Sequence, residues 1–337
     1  MFDLGRSTLF ILEKEMSSET HITDSNDTYE TYYVPEQSAF PILASITLFL
    51  MIFGLATFFN ELSANDTGSG RYVATIGFLG FVSVLFFWFR QAIIENRQGM
   101  NSLQLKRSYV WGMGWFIFSE VMFFFAFFGA LFYVRNFAGP WLGGEGDKGQ
   151  FIHLLWEGYK YTWPALETPS EAVDSTKAIF VGADHSMYPT DPMIVNKGLL
   201  HWLPMWNTII LLSSSVTVHF AHVGLKNDNR RQFKGWLLFT VLLAIVFLFL
   251  QFAEYYEAYV HYGLTLKSGI YGTTFFMLTG FHGFHVFLGM TMLLIMLLRA
   301  QKGHFTHDDC FGFESASWYW HFVDVVWVCL FFFVYII

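Results

Sequence analysis

Seven stretches of this chain, near residues 40–60, 72–94, 109–134, 202–224, 235–257, 269–299 and 313–337, are long and apolar enough to cross a bilayer. Crossing asks for about 20 such residues each. Lipid offers no hydrogen-bond partner to exposed backbone, so each run has to be a helix whose N–H and C=O groups are paired internally. The expected fold is all-α, a polytopic bundle of seven transmembrane helices. Composition agrees, with 54% apolar, 20% aromatic and only 14% charged residues, where a soluble domain carries about 25% charged.

The connections set the orientation. Four basic residues lie between Arg90 and Arg107 and four between Lys226 and Lys234, and Arg299 and Lys302 add two; the short loops on the opposite side hold Arg71 and Lys267. Positive charge concentrates on the inner side of membrane proteins. The N-terminus is therefore expected inside, and the C-terminus and the long 136–198 segment outside. That segment is turn-rich, holds five of the eight prolines and places Trp141, Trp156 and Trp163 where a cap on the membrane surface would want them.

The sequence divides into a polar tail, residues 1–37, expected to be disordered, and a transmembrane domain, residues 38–337, with 136–198 as an outer insertion. No cleavable signal sequence is recognisable in the tail, and Met16 is a second candidate start. The net charge of −8 comes from the tail and the outer insertion, which hold eight acidic residues each. No cluster of Lys and Arg suggests a nucleic-acid partner. Cys310 and Cys329 lack the spacing of a metal site or a disulfide framework.

Ionisable residues inside the spans are the informative exceptions, because each needs a partner in hydrocarbon. The last span opens with FGFESASWYWHFVDVVW, where Glu314, His321 and Asp324 fall on roughly one helix face. Glu120 lies near the centre of the third span; it reads as a proton relay or as a packing group hydrogen-bonded between helices. The sixth span carries His282 and His285, and the fourth His219 and His222. Each pair has i, i+3 spacing but lacks the accompanying carboxylates of a di-metal helix motif, so hydrogen bonding within the bundle is the expectation and no metal site is assigned. With the third, sixth and seventh spans centred near Met122, Gly283 and Val325, Glu120, His282, His285, His321 and Asp324 share one depth. They are expected to form a buried polar layer, with Glu120–His285 as its leading pair. Glu254 and Glu257 close the fifth span and read as an ordinary solvated helix end. Arg90, Glu95 and Arg299 stand at inner helix ends, as snorkelling residues or as ligands of phospholipid head groups.

Four segments then carry a resemblance: FGFESASWYWHFVDVVW, TGFHGFHVFLG, LQFAEYYEA with the following SGIYGTTFF, and FSEVMFFFAFFGALF. Together they resemble the subunit III family of the cytochrome c oxidases, in the family's order, from about Tyr33 to the C-terminus. The stretch NFAGPWLGGEG is similar to that of bacterial members. The resemblance implies a core subunit of a proton-pumping terminal oxidase that holds no haem or copper itself. Subunits I and II would carry the metals, oxidise cytochrome c and reduce dioxygen, so contact with cytochrome c would be indirect. It implies two N-terminal helices splayed from five by a cleft filled with phospholipid. It also implies stabilisation of subunit I, sustained proton uptake and a path for dioxygen.

By motif, Glu120 matches the family's buried, carbodiimide-reactive glutamate. Arg299, Arg90 and Glu95 match positions that hold lipid. Two positions depart from the pattern, since Met100 and Asn101 replace a usual histidine pair and Ile94 replaces an arginine. The implied location is a bacterial inner membrane with a cytoplasmic N-terminus. The competing reading is an autonomous transporter or channel using the buried Glu, His and Asp layer. No inverted repeat or matching pair of interrupted spans supports it.

Overall fold

The computed structural model describes residues 37–66, 68–173, 183–305 and 310–337. Residues 1–36 of the polar tail, Met16 among them, lie outside these residues. Seven helices are long and apolar enough to span a membrane: α1 (Phe40–Ser63), α2 (Gly70–Arg97), α3 (Leu103–Tyr133), α4 (Leu203–Lys226), α5 (Arg230–His261), α6 (Gly269–Gln301) and α7 (Phe311–Leu330). There is no strand among the described residues. Two helices begin before their apolar runs, α3 at Leu103 and α5 at Arg230. Lys106, Arg107, Arg230 and Arg231 continue the hydrogen-bonded backbone outward, which apolarity alone does not mark.

The helices fall into two compact units, one ending at Tyr109 and the other starting at Val110. In the first, α1 opens with Pro41 in its first turn, where the missing N–H would have had no intrahelical acceptor. At its far end Asn65 takes a left-handed φ of 53° to reverse the chain. Glu61 then closes the start of α2, with both carboxylate oxygens accepting from Gly70 N at 3.1 Å. A carboxylate there meets the positive end of the helix dipole. Gly54 and Gly77 let the two backbones touch. A Cβ at Gly54 would stand 2.2 Å from Ala74 N, and one at Gly77 2.3 Å from Met51 N. Small residues at such crossings are how lipid-embedded helices gain packing energy without a hydrophobic driving force.

In the second unit α7 is the central element. Trp320 and Trp327 are fully buried, and each indole N–H finds a hydroxyl on α4: Trp320 Nε1 donates to Ser214 Oγ and Trp327 Nε1 to Thr208 Oγ1, both at 3.0 Å. α4 and α5 form a tight antiparallel pair, capped where Asn229 Oδ1 accepts from Gln232 N at 3.2 Å. α6 packs on both α5 and α7, and α3 adds the ring contacts Phe123–Phe281, Phe124–Phe322 and Phe128–Phe333.

The 136–198 insertion is pinned to the helix ends. Tyr271 N donates to Ala165 O at 3.1 Å, Met187 N to Tyr271 Oη at 3.3 Å, and Asp184 N to Tyr262 O at 3.1 Å. Trp163 turns inward, donating from Nε1 to Tyr188 Oη, and the Arg135 guanidinium covers its ring at 5.3 Å. Burial pushes the Tyr188 phenol above its ordinary range.

Candidate functional site

α3 and α6 bring Glu120 and His285 together. His285 Nε2 and Glu120 Oε2 are 2.8 Å apart, with the side chains 8% and 24% exposed respectively. The other ring nitrogen, Nδ1, lies 2.6 Å from Phe281 O, one turn earlier on α6. A carbonyl only accepts, so Nδ1 carries a hydrogen and donates it. The bond to Glu120 therefore holds one proton between an imidazole nitrogen and a carboxyl oxygen. Either assignment, imidazole with carboxylic acid or imidazolium with carboxylate, keeps the contact hydrogen-bonded. Phe124, Phe123, Phe322 and Tyr319 ring the histidine at centroid distances of 5.0, 6.0, 6.4 and 6.5 Å. That apolar collar limits the dielectric around the pair and strengthens the bond.

The remaining members of the expected layer are divided by the helix turn. Residues two apart on a helix differ by about 200°. Tyr319 and Phe322 of α7 face His285, so His321 and Asp324 point elsewhere. His321 Nδ1 lies 2.8 Å from Ser215 Oγ on α4 and 3.8 Å from Asp324 Oδ2. Asp324 is 4% exposed. His282 sits in the seam between α6 and α7, with Nε2 donating to Val323 O at 3.2 Å and its ring 5.0 Å from that of Trp327. The five residues thus occupy three separate hydrogen-bonding settings.

Glu314 accepts from His222 Nε2 and Lys226 Nζ, both at 3.1 Å, at the C-terminal end of α4. His219, the other member of that histidine pair, is exposed. In the first unit Arg90 is exposed, and Glu95 accepts from Gln91 Nε2 at 3.0 Å. In the second, the Arg299 guanidinium lies over the Phe305 ring at 4.7 Å, with Nη1 3.8 Å from Met296 Sδ. Among the described residues no group of three or more His, Cys, Asp or Glu side chains is arranged to hold a metal.

One buried acid escaped the sequence reading. Glu254, expected to be a solvated helix end, is fully buried. Tyr335 Oη, two residues from the C-terminus, donates to Glu254 Oε1 at 2.5 Å, and Asn207 Nδ2 donates to Oε2 at 3.3 Å. Gln251 Oε1 accepts from the same amide at 3.4 Å. The correction has a physical reason: Glu254 and Glu257 are three apart, yet α4 and the chain end cover the first, while the second stays half-exposed with Lys197 at 2.8 Å. A depth comparison extended to Asn207, Gln251 and Tyr335 would have found this group, since all four lie toward the same end of the helix bundle, near the start of α4 and the ends of α5 and the chain.

A family model described as cytochrome c oxidase subunit III matches residues 30–144 and 191–337, a range that takes in all seven helices. The chain is 34% identical to cytochrome c oxidase subunit 3 of Ceratotherium simum over 301 residues, covering 89% of this chain and 94% of the relative. It is 35% identical to that of Papio hamadryas over 305 residues, covering 90% and 96%. The counterpart from Squalus acanthias is 36% identical over 301 residues, covering 89% and 94%.

Proposed function

The chain belongs to the cytochrome c oxidase subunit III family, integral membrane components of an oxidase complex, and on that premise we propose that it is a core subunit with no redox centre of its own. Haem and copper reside in subunits I and II, its partners, and cytochrome c is met only through them. The observation that carries this reading is the family match, which embraces both the α3 glutamate and the α6 histidine. In this role the chain stabilises subunit I and sustains proton uptake during turnover. The Glu120–His285 bond supports that assignment, because it keeps a proton in hydrocarbon on a pair that remains hydrogen-bonded in either protonation state. Arg90, Glu95 and Arg299 hold phospholipid head groups at the inner helix ends, and the lipid-lined space offers dioxygen a way toward subunit I. The host membrane is a bacterial inner membrane with the N-terminus in the cytoplasm.

Affinity purification of the tagged full-length chain from its native membrane tests the assignment. The expected eluate shows haem absorbance and copper in constant ratio to the chain and reduces dioxygen with cytochrome c as donor. A chain that elutes alone, free of haem-bearing subunits, would favour an autonomous transporter and overturn the subunit reading.

A further inference from the structure

A partly open cavity of about 330 Å³ lies where α3 ends and α6 begins. That volume is at the lower end of the ~300–1,000 Å³ usual for small-molecule sites. Its walls come from three places: Ala138 and Leu142 on the continuation of α3, Tyr159 within the outer insertion, and Ile270 in the first turn of α6. Among these apolar walls stand two opposite charges, Glu167 and Lys267. Both are exposed. No hydrogen bond or ion pair ties either charged group to another described residue. The Tyr159 phenol is pushed up, first by burial and then by the negative charge of Glu167, which places that carboxylate beside the cavity's aromatic wall.

Depth identifies the kind of molecule that fits. The helix α6 starts at Gly269, and the helical stretch that α3 begins ends at Leu142. Lys267, two residues before Gly269, therefore stands at the level of lipid head groups, on the side that the Lys and Arg asymmetry marks as outer. An anionic lipid would satisfy Lys267 and be repelled by Glu167. A cationic amphiphile would do the reverse. A molecule with an apolar chain, a phosphate and an ammonium satisfies all three features at once.

We propose that this cavity binds one zwitterionic phospholipid of the outer leaflet, with an acyl chain against Leu142, Tyr159 and Ile270, its phosphate at Lys267 and its ammonium at Glu167. The wall formed by residues 159–169 lies between the two blocks matched by the family model, so this is a site built in part by the chain's own insertion. It is separate from the inner-end positions Arg90, Glu95 and Arg299.

Native mass spectrometry of the delipidated full-length chain tests this, with phosphatidylethanolamine and phosphatidylglycerol of identical acyl chains as probes. The expected result is one tightly held phosphatidylethanolamine, preferred about fivefold over phosphatidylglycerol, as one charge contact at a membrane surface provides. Glu167→Gln should abolish the preference, Lys267→Gln should weaken both lipids about fivefold, and Ile270→Trp should displace both by filling the cavity. The substitutions at 167 and 267 alter exposed side chains, and circular dichroism checks that each variant is folded. Equal retention of the two lipids by the unaltered chain would overturn the proposal, as would a preference that survives Glu167→Gln in folded protein.

Discussion

Removing the single hydroxyl of Tyr335 isolates what the buried Glu254 group contributes. In Tyr335→Phe the ring stays, and so do its contacts with Phe275, Trp327 and Phe331 at 5.6, 6.0 and 6.3 Å, so no cavity forms. What is lost is the 2.5 Å bond to Glu254 Oε1. A hydrogen bond contributes about 0.5–1.5 kcal/mol net in a soluble protein. Inside membranes measured values average about 0.6 and reach about 1.7, because the unfolded chain in lipid also finds partners. Both residues are fully buried, so no solvent replaces the lost donor, and the upper end applies. The expected cost is about 1.5 kcal/mol, roughly a tenfold shift in the unfolding equilibrium. Tyr335→Ala would add the ring's packing, about 3–5 kcal/mol. Equilibrium unfolding in mixed detergent and dodecyl sulfate micelles reads both. A double-mutant cycle with Glu254→Met should return a coupling near 1.5 kcal/mol. A coupling under about 0.3 kcal/mol, the noise of independent sites, would refute the assignment of this bond as a stabilising contact.

Other expectations rest on equally local geometry. Gly54→Leu should cost about 1–3 kcal/mol of hairpin stability through overpacking, since its Cβ would stand 2.2 Å from the Ala74 backbone; faster proteolysis between α1 and α2 in detergent would register it, and an unchanged rate would count against the close crossing. Gly289→Ala brings a Cβ to 2.9 Å from Trp320 Cε3, and pairing it with Trp320→Phe should recover part of the loss because the crowding atoms are then gone. Burial, and then the charge of Glu314, raise the Cys310 thiol from an ordinary 9.0 to about 11. A raised value means the reactive thiolate appears only as pH climbs through that range, so alkylation at pH 8 should run about 100-fold slower than for an ordinary thiol. Peptide mapping after iodoacetamide measures the rate, and labelling of Cys310 at the free-thiol rate would contradict the buried setting.

The seven helices were legible because hydrocarbon leaves a polypeptide no alternative to internal backbone pairing. Their ends were less so, since Lys106 and Arg231 continue a helix as readily as leucine does once the backbone is committed. Depth placed Glu120 opposite His285, as two groups at one level that each needed a partner. The same argument stretched too far when it gathered His282, His321 and Asp324 into one layer. Depth says nothing about rotation, and Tyr319 and Phe322, not His321 and Asp324, face His285 from α7. Glu254 was misread for the opposite reason. Its partners Asn207 and Tyr335 are 47 and 81 residues away in the chain, and local spacing with Glu257 hid them. The insertion packs on Tyr262 and Tyr271 through backbone hydrogen bonds, which leave no trace in side-chain pattern. The tryptophans that suggested a membrane-surface cap include Trp163, which turned inward.

Sustained turnover of the assembled oxidase, followed over many cycles, tests the central claim most directly. The comparison is between unaltered complex, complex carrying Glu120→Gln, and complex lacking this chain. Gln keeps the size of the side chain and its hydrogen bond to His285 but cannot take or release the shared proton. The account predicts that Glu120→Gln starts at a normal rate and then loses activity progressively, as the complex without the chain does. If the substituted complex instead turns over as steadily as the unaltered one while the depleted complex decays, Glu120 is a packing group, and the claim that the Glu120–His285 pair sustains proton uptake is contradicted.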